Sequence, residues 1–141
     1  MNFTEQLNEV GIVLNDTQRS QFDKYFEILV EWNGFMNLTG ITEYEEVLVK
    51  HFLDSLAVGK YSEKFAENPE LSIIDVGTGA GFPGLPLKIA YPQAKVVLLD
   101  SLNKRVKFLD EVITQLGLTG ITAVHARAEE GLSLIHISEP T

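Results

Sequence analysis

Apolar residues recur along this chain with two different periods, and the change of period divides it in two. Phe22, Tyr25, Phe26, Leu29, Trp32 and Met36 follow three- and four-residue spacing. That pattern predicts one amphipathic helix over residues 17–36, with an aromatic stripe for core packing. A shorter helix is expected before it, with Leu7 and Val10 on one side and Gly11 near its end. Another is expected from about Glu43, where Val47, Leu48, His51, Phe52 and Leu56 share a face and Thr42 followed by Glu45 has capping-box spacing. Residues 1–68 therefore read as a helical cap that closes on the turn signal Asn68-Pro69.

Beyond that turn the apolar runs become short and branched. Strands are expected at Leu71 to Val76, Lys95 to Leu99 and Ile121 to His125, with helices at about Phe82 to Ala90 and Leu102 to Leu116. Alternation of this kind predicts an α/β unit with a parallel sheet and right-handed crossovers. No internal repeat is present. Ligands of open parallel sheets sit outside the carboxyl ends of the strands, so Gly77, Asp100 and Arg127 are expected to converge on one crevice.

Composition narrows the setting. At 141 residues and 45% apolar content the chain can bury one core. It has no cysteine, which excludes disulfides, thiolate catalysis and cysteine-ligated zinc. His51, His125 and His136 lie too far apart for metal-ligand spacing, so no metal is expected. No apolar run approaches the ~20 residues that span a bilayer, and Met-Asn-Phe-Thr-Glu lacks the pattern of a signal peptide. A cytoplasmic protein with no membrane partner is expected. The net charge of -9 argues against a general nucleic-acid binder. Lys104, Arg105 and Lys107 nevertheless form a tight basic group, joined later in the chain by Arg127. They fit either a solvated helix face or a set of phosphate contacts.

The chemistry concentrates in Asp75-Val-Gly-Thr-Gly-Ala-Gly-Phe-Pro-Gly84, directly after the first strand. Glycines there let the chain reverse sharply while a ligand lies against bare backbone. Two cofactors compete for such a turn. Gly79-Ala-Gly81-Phe-Pro-Gly84 satisfies the dinucleotide GxGxxG pattern, which is weak evidence for NAD. Counted from the strand end, however, the first glycine is Gly77 and the third fingerprint position falls on Phe82. The series Asp75-x-Gly77-x-Gly79-x-Gly81 instead matches the acidic GxGxG turn of enzymes that use S-adenosylmethionine. Asp75 suits that cofactor's ammonium, and the amides opening the next helix suit its carboxylate. Asp100, ending the second strand, can accept hydrogen bonds from both ribose hydroxyls of either cofactor, or can cap the next helix. Ala128 and Glu129 could border the adenine.

Five segments, in order, resemble the bacterial small-subunit ribosomal RNA guanine-N7 methyltransferases, a family also called glucose-inhibited division protein B. They are Trp32-Asn33 with Asn37-Leu-Thr39; His51-Phe-Leu-Asp-Ser55; Asp75 to Gly84; Leu98-Leu-Asp-Ser101 with Lys104-Arg105; and Arg127-Ala-Glu129. The resemblance covers residues 1 to about 130. It implies a class I, Rossmann-like methyltransferase that moves a methyl group from S-adenosylmethionine to N7 of a guanine in 16S rRNA, free or in the small ribosomal subunit. The implied cofactor site is Asp75, Gly77, Thr78, Gly79, Gly81, Phe82, Asp100, Ser101, Ala128 and Glu129. Lys104, Arg105, Lys107 and Arg127 are the implied RNA contacts. No catalytic side chain is expected, because guanine N7 attacks with a free lone pair and loses no proton. His51, Asp54 and Ser55 could border the pocket or tie the cap to the sheet. The alternatives are an NAD-dependent oxidoreductase and a non-catalytic nucleotide-binding module.

The family's fold needs seven strands, yet only about sixteen residues follow the third. The expected architecture is therefore a truncated class I methyltransferase sheet: a helical cap (1–68), the first half of the cofactor domain (69–131) and a non-native tail (132–141). That tail, Leu132-Ser-Leu-Ile-His-Ile-Ser-Glu-Pro-Thr141, resembles a translated sequencing-library adapter more than the family, although it also has strand-like content. A half sheet of this kind is expected to be inactive or to bind cofactor weakly, and to expose an edge that favours aggregation.

Overall fold

The computed structural model describes residues 3–9, 11–36, 52–54 and 71–127. Along the chain the elements are α1 (Phe3–Glu9), α2 (Asp16–Met36), β1 (Ser72–Val76), α3 (Gly84–Ala90), β2 (Lys95–Asp100), α4 (Asn103–Leu116) and β3 (Ile121–His125). The sheet is parallel in the order β1-β2-β3, with Ile73 opposite Val96, Asp75 opposite Leu98 and Leu98 opposite Ala123. These are the three strands expected from the apolar runs. Sequential strand order combined with right-handed crossovers puts α3 and α4 on one face of the sheet. There α2 packs across both helices.

The aromatic stripe of α2 is core, as its spacing implied. Phe22, Tyr25, Ile28 and Leu29 are buried with Leu85, Leu98, Phe108 and Leu109, while Trp32 meets the edge of Phe108 with ring centroids 5.8 Å apart. Phe52, from the segment expected to be a further helix, is fully buried and lies 5.0 Å from the Phe22 ring. The capping box at Thr42, together with His51, Ser55 and the tail 132–141, lies outside the described residues.

Two devices not foreseen from the apolar pattern fix α2. Asn15 and Gln18 form a reciprocal capping box: each backbone N–H donates to the other's side-chain oxygen at 2.8 Å. The Gln18 amide then donates across the core to the carbonyls of Ile89 and Ala90, at 2.9 and 3.2 Å, where α3 ends. One helical turn further on, Gln21 donates to Leu116 O at the end of α4, at 3.1 Å. Helix ends leave such carbonyls without partners, so α2 supplies part of the termination of both sheet helices.

Lys88 is a second polar group in the interior. Its ammonium donates to the carbonyls of Pro92, at 2.7 Å, and Ala94, holding the turn between α3 and β2. Burial pushes its pKa below the usual lysine value. On β1, one of the two edge strands of the described sheet, Ile74 and Val76 are 39% and 46% exposed.

Gln18→Ala removes half of the capping box and both bonds to the end of α3. It is expected to cost about 1–3 kcal/mol, measured by urea denaturation, with an unchanged slope against denaturant.

Candidate functional site

The carboxyl ends of β1 and β2 are joined through the glycine turn. Gly77 and Thr78 both donate their N–H groups to Leu99 O, at 2.9 and 3.1 Å, and Gly79 N–H donates to the Asp100 carboxylate at 2.9 Å. Gly77, Gly79 and Gly81 have φ of 69°, 59° and 101°, in the region that favours glycine. The sharp reversal expected from three alternating glycines is present.

The glycines differ in what surrounds them. A Cβ on Gly77 or Gly79 would meet nothing within 4 Å. Those two residues present bare backbone to open space, the shape of a cradle for a flat or extended ligand. Gly81 and Gly84 face the protein instead. A Cβ on Gly81 would lie 2.4 Å from the Leu85 side chain and 2.7 Å from the Tyr25 hydroxyl, and one on Gly84 would lie 2.4 Å from Leu98 and 2.9 Å from the Asp75 carboxylate. Their smallness serves close packing of turn, α3 and sheet.

Asp75 sits under the turn, buried, with Oδ2 accepting from Gly84 N–H at 3.0 Å. Burial raises its pKa, and the nearby charge of Asp100 adds to that rise. The Gly84 amide and the Thr78 hydroxyl oppose it. That hydroxyl is itself buried and completes no hydrogen bond of good geometry. The carboxylate expected to meet a cofactor ammonium thus already braces the start of α3, and any ligand contact would draw on its remaining lone pairs.

Asp100 is also engaged internally. Oδ2 accepts from Gly79 N–H, Oδ1 accepts from Leu102 N–H at 2.9 Å, and Arg105 Nη1 lies 3.7 Å away. The residue forms a turn before α4 rather than its N-cap, which is Leu102. Its buried carboxylate links the glycine turn to the next helix. Ala126 N–H donates to Asp100 O at 3.1 Å, and His125 Nε2–H donates to Ser101 O at 3.0 Å, so the end of β3 closes onto the same loop.

Of Gly77, Asp100 and Arg127, expected to converge on one crevice, the first two are joined through the turn at the ends of β1 and β2. Arg127 follows directly after Ala126 and is exposed. Phe82 packs between turn and cap, 5.8 Å from the Phe52 ring and 5.9 Å from that of Tyr25. Lys104 and Lys107 are exposed on α4, while Arg105 turns toward Asp100. Ala128 and Glu129 lie outside the described residues. No group of three His, Asp or Glu side chains among the described residues could hold a metal ion, and no described helix is long and apolar enough to cross a membrane. Tyr25 was legible in the sequence only as part of an aromatic stripe. Its hydroxyl nonetheless donates to Ala80 O inside the turn.

A glycine cradle at the carboxyl edge of a parallel sheet, closed by an acidic residue at the end of β2, defines a Rossmann-like α/β protein. A precorrin-6y C5,15-methyltransferase from Geobacter metallireducens shares the fold, with a TM-score of 0.50 at 20% identity over 66% of this chain and 44% of that one. Residues 18–138 match the family described as GidB, rRNA small subunit methyltransferase G, and the chain belongs to that family. The chain is 57% identical over 129 residues to the ribosomal RNA small subunit methyltransferase G of Lachnoclostridium phytofermentans, covering 91% of this chain and 52% of the relative. It is 54% identical to the protein of the same name from Staphylococcus carnosus, over 89% of this chain and 51% of that one. The chain thus spans about half the length of the curated relatives it matches.

Two outcomes follow from the geometry. Gly77→Ala meets only the left-handed backbone cost of about 1–2 kcal/mol, whereas Gly81→Ala adds a collision with Leu85 and Tyr25. Thermal melts should rank Gly81→Ala clearly below Gly77→Ala. For Asp75 the folded pKa is raised, so its stabilising contribution is complete below the ordinary carboxylate value of 3.8 and is lost as pH rises through the folded value. In Asp75→Asn that loss should disappear, and the variant should gain on the parent in urea titrations from pH 4 toward neutrality.

Proposed function

We propose that these residues serve methyl transfer from S-adenosylmethionine to N7 of a guanine in 16S rRNA. Membership of the rRNA small subunit methyltransferase G family supports this reading. The observation that carries it in the structure is the open backbone at Gly77 and Gly79, beside the buried carboxylate of Asp100. S-adenosylmethionine is long and mostly polar, with no pyrophosphate, and it fits an open glycine backbone whose N–H groups are already bonded to Leu99 O and Asp100 better than a pyrophosphate-bearing dinucleotide does.

When bound, S-adenosylmethionine supplies an electrophilic methyl group on a cationic sulfonium. Gly77 and Gly79 would lie against it, and Asp100 would reach its ribose hydroxyls with lone pairs not taken by Gly79 and Leu102. Asp75 and Thr78 hold the turn from beneath, and Phe82 and Ser101 border it. Ala128 and Glu129, which lie outside the described residues, are the candidates for the adenine side. Because the attacking nitrogen of guanine loses no proton, these residues need to bind, orient and exclude water, and no side chain has to act as a base. Lys104 and Lys107, exposed on α4, are suited to RNA phosphates, as is Arg127, exposed just after β3. Arg105 is the exception within the basic group, since its guanidinium pairs with Asp100. An rRNA or small-subunit substrate places the protein in the cytoplasm.

Two measurements test the proposal. Calorimetry of this chain should detect S-adenosylhomocysteine and give no heat with NAD; NAD binding alone would overturn the assignment in favour of an oxidoreductase. A chimaera carrying residues 1–127 in place of the matching part of the Lachnoclostridium relative should restore N7-methylguanine to 16S rRNA in cells lacking their own enzyme. A chimaera that binds cofactor yet leaves the RNA unmodified would favour a non-catalytic module.

A further inference from the structure

We propose that Tyr25 is a positioning residue for the glycine turn: its hydroxyl, delivered from α2, fixes the peptide between Ala80 and Gly81 and so ties the cradle's geometry to the helical cap. This rests on the reading that the turn holds the cofactor.

The side chain is fully buried, stacked on Phe52 at 5.2 Å and tilted against Phe82 at 5.9 Å. For packing alone a phenylalanine would serve as well, and a buried hydroxyl costs stability unless it is bonded. Here it donates to Ala80 O. Ala80 stands between Gly79 and Gly81, both at positive φ, so its neighbours lack the Cβ atoms that would restrict rotation of the peptide planes. The plane between Ala80 and Gly81 is held at both ends instead: its carbonyl accepts from Tyr25, and its N–H donates to Thr78 O at 3.0 Å. Removing the hydroxyl leaves a buried carbonyl with one restraint gone.

The anchor itself is rigid. Gln18 and Gln21 fasten α2 to the ends of α3 and α4, and the Tyr25 ring is held by two aromatic neighbours. Gly81 has no Cβ, which leaves room for the hydroxyl to approach. Burial, with the nearby charge of Asp75 as a smaller contribution, pushes the phenol well above its ordinary pKa. The group therefore remains a donor across the physiological range.

Tyr25→Phe tests the tie, with Phe22→Leu as a control from the same core cluster that removes no hydroxyl. Amide exchange at Gly81 in the free chain, relative to exchange in β2, should rise about fivefold in Tyr25→Phe, the size of one lost hydrogen bond. It should stay unchanged in Phe22→Leu, even though that variant melts earlier. Affinity for S-adenosylhomocysteine should fall by a similar factor in Tyr25→Phe and hold in Phe22→Leu. Unchanged exchange at Gly81 would overturn the tie. A parent chain that binds and a Tyr25→Phe variant that binds equally well would overturn its role in cofactor affinity alone. A parent chain that ignores S-adenosylhomocysteine would instead remove the cofactor reading, and the role built on it.

Discussion

A ligand cradle made of glycines cannot hold its own shape. Gly77 and Gly79 contribute no side-chain contacts, and every restraint on them comes from elsewhere: Leu99 O and the Asp100 carboxylate on the sheet side, Asp75 beneath and the Tyr25 hydroxyl from the cap. The turn is open toward solvent because its restraints approach from the other side. Burial raises the pKa of Asp75, and the charge of Asp100 nearby adds a smaller rise, so holding two buried carboxylates close together has a cost. Backbone amides of Gly79, Gly84 and Leu102, with Arg105, offset that cost. The acidic residues flanking the glycines are structural parts of the turn before they are candidates for anything else.

The sheet was legible because buried parallel strands are short branched runs bounded by turn residues, and Val96, Leu98 and Ile121 obey that rule, with Ile73 partly buried beside them. The helix after the turn begins at Gly84 rather than near Phe82, as expected from apolar content alone. Phe82 belongs to the cluster between turn and cap, so its apolar character reflects tertiary packing and not helix periodicity. Most of the site was legible by spacing alone, since three alternating glycines after a strand admit few backbone solutions.

What the sequence hid were long-range bonds between polar side chains and backbone. Gln18 and Gln21 lie off the apolar stripe that marks the helix, yet they reach carbonyls 71 and 95 residues away in sequence. Tyr25 entered only as a member of the aromatic stripe, and the bonds Lys88 makes to Pro92 and Ala94 have no signature in the sequence. Nothing local marks such residues, because the partner is a main-chain atom that every residue possesses. Only the capping-box spacing from Asn15 to Gln18 gave a local signal, and it was there to be found.

That same glutamine illustrates how tertiary context can choose between two residues an isolated helix would treat alike. At the third position of a capping box, Glu and Gln serve equally, since each offers an oxygen to the cap residue's N–H. At position 18 the other half of the side chain must donate to two carbonyls at the end of α3, which a carboxylate cannot do. Glutamate would keep the cap and set negative charge against carbonyl oxygens. In a chain with 20 acidic residues, the position that joins cap to sheet is therefore one where an acid is chemically excluded, and the exclusion acts through the second helix rather than the one that carries the residue.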